Sequence, residues 1–344
     1  MKILSILSVA VITMVSISSA IADPKNKKIA VLFDSRMLAH DTGINHPEKP
    51  ERLTTASTAI RNAKGLIKHL VWPTIKEASD ETLQLVHTED YLRLVASEVE
   101  AQEKDQTAYL STGDVVISKD SDMASRVAVG AVIEGVDQIM FNNNTFTAFA
   151  LVRPPGHHAS ADRGMGFCIY NNVAIAARYA QQRYGLQRIL IVDFDVHHGN
   201  GTQDIFYDDN SVFYFSVHQH PLYPGTGSPQ ETGSGKGKGF TLNVELPKGS
   251  GDAELINALN SKLVKAMDEF RPEFILVSAG FDGHQADPLG GLHYTEKGYQ
   301  EVAKVLSDLA KKHADAKTLY VMEGGYSHDN TSQSILAILH ALAK

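Results

Sequence analysis

Two aspartates and two histidines fall within six residues in the run Asp193 to His198, the start of DFDVHHGNGTQ (Asp193 to Gln203). If the apolar run before it continues as a strand, alternate side chains share one face. Asp195 and His197 then reach a single metal ion, with Asp193 behind them as a supporting carboxylate. Carboxylates and imidazoles buried together are costly unless a cation or hydrogen bonds compensate. A turn with HHGNG as loop punctuation is the plain alternative, and it leaves the density of ligand types unexplained.

Three more segments carry the same kind of residue. RPPGHHA (Arg153 to Ala159) sets His157 beside His158 on a backbone stiffened by proline and glycine, and such a pair can divide base and acid duties near neutral pH. AGFDGHQADPLGG (Ala279 to Gly291) adds Asp282 and Asp287, either of which could complete a three-ligand site. EGGYSHDN (Glu323 to Asn330) projects Tyr326 from a glycine pair, and a tyrosine hydroxyl can donate to a developing oxyanion.

Three protein ligands with an open position define a catalytic metal rather than a structural one. With zinc, such a site makes water acidic near neutral pH and polarises a carbonyl. Two carboxylates and one imidazole form a relatively hard set, so iron(II) would also suit it. Proton donors beside it point to amide or ester hydrolysis. There is no G-x-S-x-G element, and the single cysteine, Cys168, has no neighbour that would make it a nucleophile.

These segments need elements to place them. Short apolar, β-branched runs predict strands at 28–33, 147–152, 188–194, 212–217, 240–246, 273–278 and 318–322. Three- and four-residue apolar spacing predicts helices at 52–64, 122–140, 172–184, 252–270, 295–312 and 331–343. Strand and helix in alternation argue for a three-layer α/β domain around a mostly parallel sheet. Ligands of such sheets gather at the carboxyl ends of the strands, where all four segments fall. The polar, proline-bearing loop 34–51 is too long for a mere connector and is a candidate site-lining loop.

Composition agrees with a single enzyme-sized domain: 344 residues, 43% hydrophobic and 21% charged. The formal charge of −8 and the absence of a basic stretch argue against a nucleic-acid partner. Met1-Lys2 precedes an apolar, serine-dotted stretch ending in Ala20-Ile21-Ala22, which predicts an export signal over 1–22 and a catalytic domain over 23–344. The expected location is periplasmic or secreted, without stable membrane association after cleavage. The alternative is an uncleaved anchor, since the stretch is nearly long enough to span a bilayer.

Taken together, the motifs resemble the histone deacetylase and acetylpolyamine amidohydrolase superfamily, whose fold is shared with arginase, and within it the class II-like bacterial deacetylases. The resemblance runs from HPEKPERL (His46 to Leu53) through VHTEDYL (Val86 to Leu92) to EGGY. It implies zinc on Asp195, His197 and Asp287, with Asp287 rather than Asp282 as third ligand. It makes His157 and His158 the acid/base pair and Tyr326 the residue that polarises the carbonyl. Asp193 would hydrogen-bond His157 and, with Ser216, serve a structural potassium site. Asn200 stands where some branches carry an aspartate behind the second histidine. Phe167 and Tyr223 would line the acyl-lysine channel, with Gly166 on its floor, Asp114 as a rim carboxylate and Arg52 near an acetate exit path. Polyamine-selective relatives place a glutamate directly after the DP of the third segment, where this chain has Leu289; an acylated lysine or related amine is therefore the expected substrate. Oligomerisation is compatible with this reading. An acetylpolyamine amidohydrolase is the nearest alternative. A two-manganese ureohydrolase lacks its spaced D-A-H-x-D pattern here, and an inactive acyl-lysine binding module would be expected to have lost one of these residues.

Overall fold

The computed structural model describes residues 27–142 and 144–344; the predicted leader, 1–22, lies outside them. Among the described residues ten strands form: β1 (Lys28–Leu32), β2 (Leu70–Val71), β3 (Ala108–Tyr109), β4 (Val116–Ile117), β5 (Thr145–Ala150), β6 (Ile189–Asp193), β7 (Val212–Gln219), β8 (Thr241–Leu246), β9 (Phe274–Ala279) and β10 (Thr318–Met322). Eight of them make one sheet in the order β2-β1-β5-β10-β9-β6-β7-β8. Every pairing in it is parallel, so the sheet is wholly rather than mostly parallel. The central strands explain this: ILIVD, FILVSA and TLYVM are buried at every residue, as strands covered on both faces must be.

The helices are α1 (Glu51–Asn62), α2 (Asp80–Leu83), α3 (Glu89–Glu100), α4 (Ser121–Phe141), α5 (Asn172–Tyr184), α6 (Asn200–Phe206), α7 (Asp252–Ala258), α8 (Val264–Phe270), α9 (Glu296–His313) and α10 (His328–Leu342). α1, α10, α9 and α7 pack side by side as one layer, while α4 packs against α5, α3 and β5. The span α7 to α8 is one helix interrupted by a π-helical turn at Leu259–Leu263, which matches the single predicted helix over 252–270. α5 has its predicted bounds because Asn171 caps it, its side chain accepting from the Ala174 N–H at 3.0 Å.

The core beneath the sheet edge is aromatic: Phe149 stacks on Tyr320 at 6.1 Å and lies 6.4 Å from Phe281, whose own loop carries Asp282. Each such ring, fully buried, stabilises the fold by roughly 1.5–3 kcal/mol and gives the site a stiff base.

Two features depart from the sequence reading. β6 ends at Asp193, so Asp195 and His197 lie in the loop beyond it and strand alternation is not what aligns them. β2, α2, α3, α6 and the β3–β4 hairpin were not foreseen. α3 had a readable signal: Thr88 caps it and Tyr91, Leu92, Val95 and Val99 form its buried stripe.

Candidate active site

The loops after β5, β6, β9 and β10 meet at the carboxyl edge of the sheet. There His197 Nδ1 lies 3.0 Å from Asp195 Oδ1 and 3.2 Å from Asp282 Oδ2. Both carboxylates are fully buried. Asp195 Oδ2 accepts the Gly324 N–H at 2.8 Å and Asp282 Oδ1 the Val196 N–H at 3.0 Å, whereas Asp282 Oδ2 has no hydrogen-bond partner. Burial, aided by the Asp195 carboxylate, pushes the Asp282 carboxyl up to about 7. Two buried carboxylates crowded on one imidazole, with an orphaned oxygen between them, is an arrangement that a cation would complete. A side chain on Gly324 would run into both Asp282 Oδ2 and Asp195 Oδ2, so glycine is what lets the backbone close over them.

Asp287, the third ligand that the resemblance implies, lies outside the tightest group of ligand atoms, Asp195–His197–Asp282, but near enough for its charge to add to the rise of the Asp282 carboxyl. Its Oδ1 accepts the Leu289 N–H at 3.0 Å, and its Oδ2 accepts those of Tyr326 at 2.6 Å and Ser327 at 3.1 Å. These three backbone donors tie the carboxylate to the tyrosine loop and leave Oδ1 with acceptor capacity to spare. Both aspartates follow β9; Asp282 continues outward from the strand, and Asp287 sits past a turn closed by its own N–H on the His284 carbonyl.

The paired histidines sit beside the cluster, their ring centroids 4.0 Å apart. His157 Nδ1 is 3.0 Å from Asp193 Oδ2, which also accepts the Tyr214 hydroxyl at 3.1 Å. Burial works against a charge on His157, but Asp193 and Asp195 outweigh it and raise its pKa to about 10. His158 Nδ1 is 2.8 Å from Asn200 Oδ1, and burial, with His157 and His197 adding repulsion, drives its pKa well below the usual value. The two rings are thus opposites, one cationic and one neutral near pH 7. Behind them the Glu323 carboxylate accepts the Gly156 N–H at 2.7 Å, the His157 N–H at 3.2 Å and the Ser278 hydroxyl at 3.0 Å. Glu323, His157 and Cys168 form a second group of ligand-type atoms, but Glu323 is spent on these donors and braces the histidine backbone.

Tyr326 is held from below. Arg52 Nε donates to the Gly325 carbonyl at 2.7 Å, its Nη2 donates to the Glu323 carbonyl, and its guanidinium carbon lies 4.9 Å from the Tyr326 ring centroid. Glu48 lies between Arg52 (2.9 Å) and Arg153 (2.8 Å), all three side chains fully buried. The structure thus sets Arg52 as a strut under the tyrosine loop. Burial pushes the Tyr326 hydroxyl well above its usual pKa, so it stays protonated as a donor.

A cavity of about 240 Å³ opens over these groups. Phe167, Tyr223, Gly166, Leu289 and Asp114 all line it, together with His157, His158, His197 and Tyr326, as do Pro155 and Leu222, which sequence reasoning missed. At φ +54° Gly166 lies against the His158 ring, where any Cβ would collide. Asp114 Oδ1 accepts the Gly166 N–H at 2.8 Å and the Tyr223 hydroxyl at 3.3 Å. Asp193 and Ser216 stand opposite each other in the β6–β7 ladder, with the Ser216 hydroxyl 2.9 Å from His218 Nδ1. His198 turns away, to Thr226 and Gln203. Glu48, Arg153 and Glu323 are the supporting residues the motifs did not single out; HPEKPERL, RPPGHHA and EGGY contain them, but nothing in a linear motif says that they touch.

Fold and site together define a parallel α/β protein with a buried acid–imidazole cluster, two histidines and a tyrosine around one cavity. The chain belongs to the histone deacetylase family: the model of the histone deacetylase domain matches residues 46–342. It is 38% identical over 316 residues to a probable deacetylase of Archaeoglobus fulgidus, covering 91% of this chain and 86% of that one. It is 37% identical over 300 residues to the chloroplastic histone deacetylase 10 of Oryza sativa subsp. japonica, covering 84% and 68%. Among solved structures, the HD domain of HDA15 superposes with a TM-score of 0.84 at 36% identity, covering 92% of this chain and 90% of that one. The fold is therefore the arginase-like one that the sequence motifs implied.

Proposed function

We propose that this protein is a zinc-dependent hydrolase that removes acetyl or other acyl groups from acylated lysine or a related amine. The observation that carries the reading is that His197, set between the buried carboxylates of Asp195 and Asp282, lines one cavity with His158 and Tyr326. Asp195, His197 and, by the family motif, Asp287 suit a divalent ion by donor type, and the unpartnered Asp282 oxygen beside them favours a positive charge there. An ion bound there supplies Lewis acidity to an amide carbonyl and makes water a nucleophile near neutral pH.

The chain's own residues do the rest. An unbranched acyl-amine enters past Phe167 and Tyr223, which exclude water from its methylenes. The Tyr326 hydroxyl donates to the carbonyl oxygen as that oxygen gains charge. His158, with Nδ1–H directed at Asn200, offers its other nitrogen to take a proton from the attacking water and pass it to the leaving amine. His157, held cationic by Asp193, stabilises the negative charge of the transition state. Leu289 lines the cavity where a carboxylate would be needed to select a second ammonium group, which favours acyl-lysine over acetylpolyamine. Asp193 and Ser216, adjacent in the sheet, would serve a potassium ion that stiffens the loop carrying Asp195.

Acetate release from an acetyl-lysine peptide tests this. Turnover abolished by chelator and restored by zinc is expected; no turnover by zinc-loaded protein would overturn the acyl-lysine assignment. The apolar segment ending in Ala20-Ile21-Ala22 supports export to the periplasm or medium. Cell fractionation should recover a chain starting at Asp23, and full-length chain in membrane pellets would refute cleavage.

A further inference from the structure

Five large hydrophobic side chains are conspicuously exposed among the described residues, and three of them, Ile44, Tyr109 and Tyr223, lie on or next to the wall of the catalytic cavity. Ile44 (93% exposed) and Tyr109 (71% exposed) line a separate groove of about 400 Å³ between the loop 42–47 and the β3–β4 hairpin. His46 belongs to this groove, and its ring meets the Phe167 ring edge-on at 4.5 Å, so one aromatic pair divides groove from cavity. The hairpin is tied to the cavity wall at its tip. Asp114 accepts the Gly166 N–H, and the Thr112 hydroxyl donates to the Gly164 carbonyl at 3.4 Å.

We propose that this groove is a subsite for an apolar or aromatic side chain flanking the acyl-lysine, so that the substrate is a peptide or protein segment rather than a free amine. The inference rests on the hydrolase reading above and names its substrate class. Tyr109 pairs with Val116, two residues from Asp114, which puts the groove at most about 7 Å along the hairpin from that rim carboxylate. An extended peptide passing Asp114 advances by about that distance in two residues, so one flanking side chain arrives over Ile44 and Tyr109. Asp and Lys side chains are absent from the groove lining, which leaves an ionic flanking residue without a partner there. An apolar one covers exposed hydrocarbon on both sides.

The test uses the full chain loaded with zinc and three substrates: matched acetyl-lysine peptides carrying Phe or Asp beside the acetyl-lysine, and single-residue acetyl-lysine amide. The Phe peptide should exceed the Asp peptide about tenfold in kcat/KM at one flanking position, which corresponds to ~1.4 kcal/mol. Ile44→Asp and Tyr109→Asp, both on exposed side chains, should erase that preference and leave the single-residue substrate unchanged. Equal loss on all substrates, or a preference that survives both variants, overturns the proposal. So does a light-scattering shift from dimer to monomer in Ile44→Asp with no flanking preference, which would make the groove an interface between two copies. No turnover of any of the three substrates defeats the hydrolase reading itself, and the subsite with it.

Discussion

His158 and Asn200 are joined by a 2.8 Å hydrogen bond between Nδ1 and the side-chain amide oxygen. The amide nitrogen faces the Met165 sulfur at 3.6 Å, so the oxygen faces the ring and the imidazole keeps its hydrogen on Nδ1. An amide has no charge to hold an imidazolium, and burial together with His157 and His197 already disfavours one. Asn200→Asp would supply that charge and raise the pKa of His158. A base must be neutral to act, so the acidic limb of the kcat/KM profile should move to higher pH by on the order of one unit. A pH–rate profile measures this, and an unmoved limb would remove His158 as the base.

Asp282 and Asp287 make different predictions. Asp287→Asn, which alters the third ligand that the family motif implies, should abolish stoichiometric zinc binding, beyond the roughly 10–100-fold loss typical of residues that merely support a ligand. Asp282→Asn should keep the metal at weaker affinity, because its carboxylate, held by the Val196 N–H, crowds His197 from behind. Metal analysis after dialysis separates them. Zinc lost from Asp282→Asn and kept by Asp287→Asn would make Asp282 the third ligand instead.

Tyr326→Phe removes one donor and leaves the ring over Arg52 in place. Loss of a single oxyanion donor costs roughly 10²–10³ in kcat. Steady-state kinetics should show that drop with zinc content and thermal stability unchanged; a variant within threefold of the parent would exclude the role.

Glu48 is the shared partner of two buried arginines, and those cations, against the cost of burial, hold its carboxyl well below the usual range. Because the folded pKa is depressed, its stabilisation is fully present above the unfolded value of about 4.3 and is lost as pH falls through the folded one. Glu48→Gln should destabilise the fold by about 3–5 kcal/mol at pH 7, leaving two uncompensated guanidinium groups. The melting-temperature gap to the parent should persist at neutral pH and narrow below about pH 4, by calorimetry. A constant gap across that range would show that charge is not the cause.

The sequence by itself determined the alternation of buried strands with amphipathic helices, the one-domain layout and the four loops that carry chemistry. Periodicity and composition are local properties, and burial on both faces leaves a strand such as ILIVD little freedom to be anything else. The family was legible too, because motifs such as RPPGHHA and DFDVHHGNGTQ are short and contiguous. The helix at Glu89–Glu100 was equally legible from its Thr88 cap and apolar stripe. What the chain alone left undecided was which carboxylate does what. Asp282 and Asp287 sit five residues apart after the same strand, and only the folded loops turn one towards His197 and give the other three backbone N–H groups. The Arg52–Glu48–Arg153 strut was hidden for the same reason: a carboxylate's role depends on which donors surround it, and those donors come from segments more than a hundred residues apart.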